Sequence, residues 1–114
     1  MMNEETLRNM EKLRRAMVVI DQRYPNAPIR VLQSFLVIAS YGAEGCTVSD
    51  IAKAIDKTLT VASHHTDRLM KLGLVHKELD ENHQARGSQK KVTLTLKGKE
   101  MLDEIDRAMS SEDI

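Results

Sequence analysis

The sequence predicts a mainly helical domain carrying one small antiparallel hairpin, in the order α-α-β-α-α-β-β-α. Three observations lead there. Thr47 with Asp50 makes a capping box that opens one short helix, and Thr58 opens a second almost at once. That second helix, ending at Gly73, separates an apolar face from one without any large apolar residue. Beyond it, two alternating runs, 74–80 and 92–96, flank a polar, basic stretch containing Gly87, which is the pattern of a hairpin.

A chain of 114 residues is long enough for one core and short for two, so residues 1–114 are read as a single domain. With one Phe, two Tyr and no Trp, its core must be aliphatic. No apolar run approaches the roughly 20 residues that cross a bilayer, and the N-terminus lacks the basic-then-apolar order of a signal peptide. The one cysteine, Cys46, has no partner for an internal disulfide. These features together predict a cytoplasmic protein, with Cys46 as a small core residue.

Residues 5–24 form the first helix, because Leu7, Met10, Leu13, Met17, Ile20 and Tyr24 recur at spacings of three and four. Pro25 and Pro28 end it and start the next. The second helix, 28–41, is apolar on most sides, from Ile29 through Phe35 to Ala39, and is therefore central. Gly42 and Gly45 break the chain before a short extended piece at Cys46 and Thr47. The third helix buries Val48, Ile51, Ala52 and Ile55, and Asp56-Lys57 turns the chain into the fourth. After the hairpin, Thr95 caps a last helix, 96–109, with Met101, Leu102, Ile105 and Met109 on one face, and 110–114 form a tail.

Two short helices joined so closely, the second with a polar outer face, are a helix-turn-helix arrangement. On a wheel at about 100° per residue, Ala62, Leu69 and Leu72 share the inward face, with His65 and Thr66 at its edges. Thr60, Ser63, His64, Asp67 and Lys71 share the outward face, flanked by Arg68. Short hydrogen-bonders, an imidazole and cations suit base edges and phosphates in a DNA groove. Net charge is zero, but it is unevenly spread. Arg86, Lys90, Lys91, Lys97 and Lys99 fall in an acid-free stretch, 82–99, whereas acids dominate from Glu100 on. The hairpin loop, 81–91, projects as a basic wing.

This order of elements is that of a winged helix-turn-helix domain, and the residues resemble in particular the MarR family of bacterial transcriptional regulators. The matching pieces are Thr47-Val48-Ser49-Asp50-Ile51-Ala52, the run from Asp67 to Val75, Asp80 and Arg86 in the wing, and Leu94-Thr95-Leu96-Lys97-Gly98. The last looks like that family's Leu-Thr-x-x-Gly, and together the pieces cover about residues 28–105. The resemblance implies a repressor that binds double-stranded DNA at an inverted repeat. The helix from Leu59 to Leu72 would enter the major groove, and Arg86 would reach a minor groove. The stretch after Arg86 is longer than the family pattern, so Lys90 or Lys91 is the alternative wing contact. Family members usually continue into a longer helical dimerisation region, and whether an effector ligand exists is left open.

The expected arrangement is an N-terminal dimerisation helix (1–24), a winged-helix core (28–96) and a C-terminal helix (96–109). A homodimer through 5–24 and 96–109 is expected because Leu7, Met10, Leu13 and Met17, with Met101, Leu102 and Ile105, exceed what one small domain needs. The expected DNA contacts are Thr58, Thr60, Ser63, His64, Arg68 and Lys71 on the helix, and Arg86, Lys90 and Lys91 on the wing. No metal or cofactor is expected: His64 and His65 point about 100° apart on a helix, with no ligand set around them. Nor is catalysis expected, since no phosphate loop or nucleophile-and-base spacing occurs. The competing reading is a winged-helix protein–protein adaptor, which would show apolar or aromatic anchors on the outward face.

Overall fold

The computed structural model describes residues 3–79 and 90–110. It contains helices α1 (Glu4–Arg23), α2 (Ile29–Ser40), α3 (Val48–Ile55), α4 (Leu59–Lys71) and α5 (Leu96–Ser110), with strands β1 (Val75–Leu79) and β2 (Lys90–Leu94). A 3-10 turn, Gly42–Glu44, follows α2. No helix among the described residues is long and apolar enough to cross a membrane. The chain divides into two compact units, one of residues up to Ala27 with those from Glu100 on, the other Pro28–Lys99.

The Pro28–Lys99 unit is built on local signals that the sequence carries openly. Thr47 Oγ1 accepts the Asp50 N–H at 3.1 Å while Asp50 Oδ2 accepts the Thr47 N–H at 2.9 Å, closing the box that starts α3. Asp56 then takes a left-handed conformation, φ 56°, and Thr58 Oγ1 caps α4 through the Val61 N–H at 3.2 Å. At the other end of α4, Gly73 has φ 78°. The Leu74 N–H reaches the Leu69 carbonyl and the Gly73 N–H the Met70 carbonyl, at 3.0 and 2.9 Å. This pair of bonds is the Schellman closure that glycine permits.

Helix α2 packs against both α3 and α4. Val31, Phe35, Ile38, Ile51, Ala52, Ala62 and Leu69 are buried, as are Cys46, Leu74, Val75 and Val92. Ser34 and Thr66 are buried as well, each donating its hydroxyl to the carbonyl four residues back, at 2.9 and 2.8 Å. The central place of α2 is as expected, yet it is not apolar-and-buried all round: Ile29 and Leu36 stand exposed.

The hairpin differs from the sequence expectation. Pairing runs antiparallel from Val75 with Leu94 to Leu79 with Lys90, so Lys90 and Lys91 lie in a strand and not in the loop. The expected early strand is reduced to one bridge, Cys46 with Val92, held by two backbone bonds of 3.0 and 2.7 Å. The expected second strand, 92–96, stops at Leu94. Thr95 turns the chain instead: its hydroxyl donates to the Gly73 carbonyl at 2.5 Å and accepts the Gly98 N–H at 3.1 Å, which starts α5. Leu96, read as the strand's third apolar residue, therefore sits on a helix and is 73% exposed.

In the other unit, Asn3 Oδ1 caps α1 through the Thr6 N–H at 2.8 Å. Arg23 grips Glu104 with both ends of its guanidinium, Nε at 3.0 Å from Oε2. That bond holds the Glu104 carboxyl below its usual range. Ala16, Met101 and Ile105 are buried. Leu7, Met10, Leu13 and Met17, four of the six residues in the α1 stripe, are each more than half exposed.

Candidate nucleic-acid interface

Helix α4 presents its outward face as the wheel requires. Thr60, His64, Asp67 and Lys71, spaced four, three and four apart, are all exposed, and exposed Arg68 lies to one side. Ser63 departs from the expectation: it is half-buried on the opposite flank, so it borders the face without standing on it. Thr58 is exposed, with its hydroxyl engaged in the cap.

Asp67 is the one acid on this face, and its partner is not Arg68 beside it. Lys77 of β1 reaches it across the fold, Nζ to Oδ1 at 3.4 Å. Lys77 thus ties the hairpin to α4 and offsets the charge of Asp67, the one acid on the outward face of that helix. Sequence reasoning missed Lys77, because a strand residue ten positions on shares no helical period with Asp67.

Two clefts flank α4. One, of about 330 Å³, is lined by Val48, Ser49, Leu59, Lys77 and Lys90. It contains a second residue that the sequence analysis passed over, Leu59, which is 57% exposed at the first position of the helix. The signal was present, since Leu59 lies off the Ala62–Leu69 face on a helical wheel. Lys90 faces this cleft, whereas the Lys91 side chain leaves β2 near Gly45. Strand alternation sends the two lysines to opposite sides, so they are not interchangeable contacts. The wing itself and Arg86 lie outside the described residues.

The second cleft, of about 480 Å³, lies on the other flank of α4, toward the start of α2. His65 borders it, half-buried, and its Nε2 is buried without a hydrogen-bond partner among the described residues. Burial lowers the His65 pKa, and the nearby Arg30 guanidinium and His64 lower it further. The folded chain therefore takes up a proton at His65 less readily than the unfolded chain, whose imidazole titrates near pH 6.5. Stability from this group is complete above about pH 6.5 and is lost as pH falls below it. Melting temperatures measured between pH 7.5 and 5 are expected to fall more steeply for the parent than for His65→Gln. Equal slopes would show that the imidazole is not buried uncharged. Glu11 and Glu104, whose pKa values are lowered by hydrogen bonds from arginines, act below about pH 4.5 and stay out of this window.

Cys46 is buried beside this machinery and not within it. Desolvation, with Asp50 nearby, pushes its thiol up to about 11, which leaves little thiolate at neutral pH. Among the described residues no group of three or more His, Cys, Asp or Glu could hold a metal ion.

Solved structures share this fold. The MepR–DNA complex of Staphylococcus aureus matches with a TM-score of 0.70 and 19% identity, over 87% of this chain and 76% of that one. RV1404 from Mycobacterium tuberculosis matches at 0.67 and 14%, over 85% of this chain and 63% of that one. A MarR family transcriptional regulator from Silicibacter pomeroyi matches at 0.62 and 22%, over 88% and 62%. The chain thus spans less than two thirds of the length of the last two. At these identities the likeness is one of fold, a MarR-like winged helix. No family model and no curated protein sequence matches the chain.

Proposed function

We propose that this chain is a sequence-specific double-stranded DNA-binding transcriptional regulator, working as a twofold dimeric repressor on an inverted repeat. The observation that carries the reading is the outward stripe of α4. Thr60, His64 and Lys71 stand exposed along it, and its single acid is offset by Lys77. A helix about 10–12 Å across fits a major groove about 12 Å wide, which puts this stripe against base edges. Arg68 and Lys71 supply phosphate contacts from the helix. Lys90 and Lys91 of β2, with Arg86 of the wing, supply them from the hairpin. Exposed Leu7, Met10, Leu13 and Met17 on α1 support a dimer seam. MepR, whose fold this chain shares, is itself seen bound to DNA.

The adaptor reading draws on exposed Leu59 and Met70. Those two residues sit eleven positions apart, about 16 Å along the axis, and do not form one anchor patch. Leu59 alone suits a thymine methyl group.

Selection of bound duplexes from a random pool at fixed salt tests the proposal directly. An inverted repeat is expected, with a sedimenting species near twice 12.9 kDa; no enrichment over the input pool would sink it. On the selected site, His64→Ala is expected to lose about 1–3 kcal/mol of binding, and much less on scrambled DNA. Ser63→Ala is expected to lose less than His64→Ala, because Ser63 is half-buried at the edge of the stripe. Equal losses on specific and scrambled duplexes would remove α4 as the reading element.

A further inference from the structure

The cleft between the start of α2 and the C-terminal half of α4 holds two cations of the reading above, but its α2 side has no part in that reading, and its charge is mainly positive. Arg68 and Lys71 border it from α4, with Pro28 and Val31 forming its α2 side. Arg30, exposed in the first turn of α2, stands close enough to act on the His65 imidazole from that side. No acid occurs in that first turn. Among the described residues no carboxylate pairs with Arg30, Arg68 or Lys71, and Asp67, the acid at the rim, is taken by Lys77. Two helices therefore bring cations to one concavity: Arg68 and Lys71 border it from α4, and Arg30 stands beside it, next to Val31 in the first turn of α2.

Groove geometry indicates what belongs there. A helix that fills the major groove leaves the groove's two phosphate walls to pass along its two flanks. One flank of α4 is the Lys77–Lys90 side. The other is this cleft. We propose that the cleft seats a backbone phosphate of the bound duplex, with Arg30 of α2 as its outermost cation and Arg68 and Lys71 completing the seat. The proposal rests on the DNA-binding reading and extends the interface to α2, a helix outside the helix-turn-helix pair and the wing. A phosphate there relieves the mutual repulsion of three unpaired cations. It carries no sequence information of its own and sets the depth and angle at which α4 lies in the groove.

The test compares the parent chain with Arg30→Gln and Arg30→Lys, by affinity across a salt series on the selected duplex and on a scrambled one. Arg30→Gln is expected to reduce the slope of log affinity against log salt by about 0.9 per bound protomer, since one phosphate contact is lost. The loss should be equal on both duplexes, leaving the specificity ratio unchanged, and Arg30→Lys should keep the parent slope. Arg30 is exposed, so melting temperatures should agree within error and tie the change to binding. A parent that binds with the same slope as Arg30→Gln overturns the phosphate seat and leaves the DNA reading standing. A parent that binds no duplex overturns both. Inorganic phosphate is the competing source of the same chemistry. If millimolar phosphate raises the melting temperature of the parent but not of Arg30→Gln, and the salt slopes are equal, the cleft belongs to a free anion and the proposal fails.

Discussion

Ala62→Asp is expected to remove most of the stability of the Pro28–Lys99 unit before any DNA is added. Ala62 has no exposed surface, and it lies on the face of α4 shared with Leu69 and Thr66. A carboxylate at a position without exposed surface is cut off from the water that would hydrate its charge. The new side chain would have to stay protonated, and holding an Asp neutral at pH 7, about three units above its ordinary pKa, costs about 4 kcal/mol. Overpacking adds about 1–3 kcal/mol. Against a total of about 5–15 kcal/mol for a typical domain, that leaves a marginal or unfolded protein. Denaturant titration at pH 7 and again near pH 4 measures it, and the deficit should shrink at the lower pH as the neutral form becomes easier to hold. A parent-like transition would mean that α4 presents a different face to α2 and α3.

Gly98→Ala is expected to cost about 2–3 kcal/mol, although glycine to alanine inside a helix normally gains up to about 1 kcal/mol. The sign reverses because a Cβ at position 98 would lie 2.2 Å from the Leu74 carbonyl oxygen and 3.4 Å from the Leu94 Cβ. Neither neighbour can yield cheaply. Leu74 follows the Schellman turn that closes α4, and its carbonyl also accepts the Thr95 N–H at 3.0 Å. A melting temperature lower by roughly 10 °C is expected for a domain of this size. A rise would mean that the start of α5 stands farther from the α4 end than described here. Gly98 is the final residue of the Leu-Thr-x-x-Gly pattern noted in the sequence, and this approach is a physical reason for a glycine there.

The parts of the fold legible in the chain are those whose partners lie three or four residues apart. The Thr47–Asp50 box, the Thr58 cap, the Gly73 closure and the stripe of Thr60, His64, Asp67 and Lys71 all follow from helical period and hydrogen-bond reach. Each can be read without knowing where any other element goes. The α1 stripe is legible in the same way, and its exposure in the structure suits the seam proposed for it.

The misreadings share the opposite property. Strand β2 was placed two residues late because alternation at Val92, Leu94 and Leu96 looks the same whether Leu96 ends a strand or starts a helix. The choice is made by the Thr95 hydroxyl meeting the Gly73 carbonyl, twenty-two residues back. That shift moves Lys90 and Lys91 from a loop into a strand and sends them to opposite sides. Ser63 was placed on the open face because a wheel has no neighbours, and the structure half-buries it. Asp67 is claimed by Lys77 of β1, ten residues on, and Arg30 comes near His65 only because α2 packs against α4. Local geometry is written in the order of residues, since a cap or a helical face needs no distant partner. Pairings between elements depend on which backbones come together, and packing of the whole chain sets that.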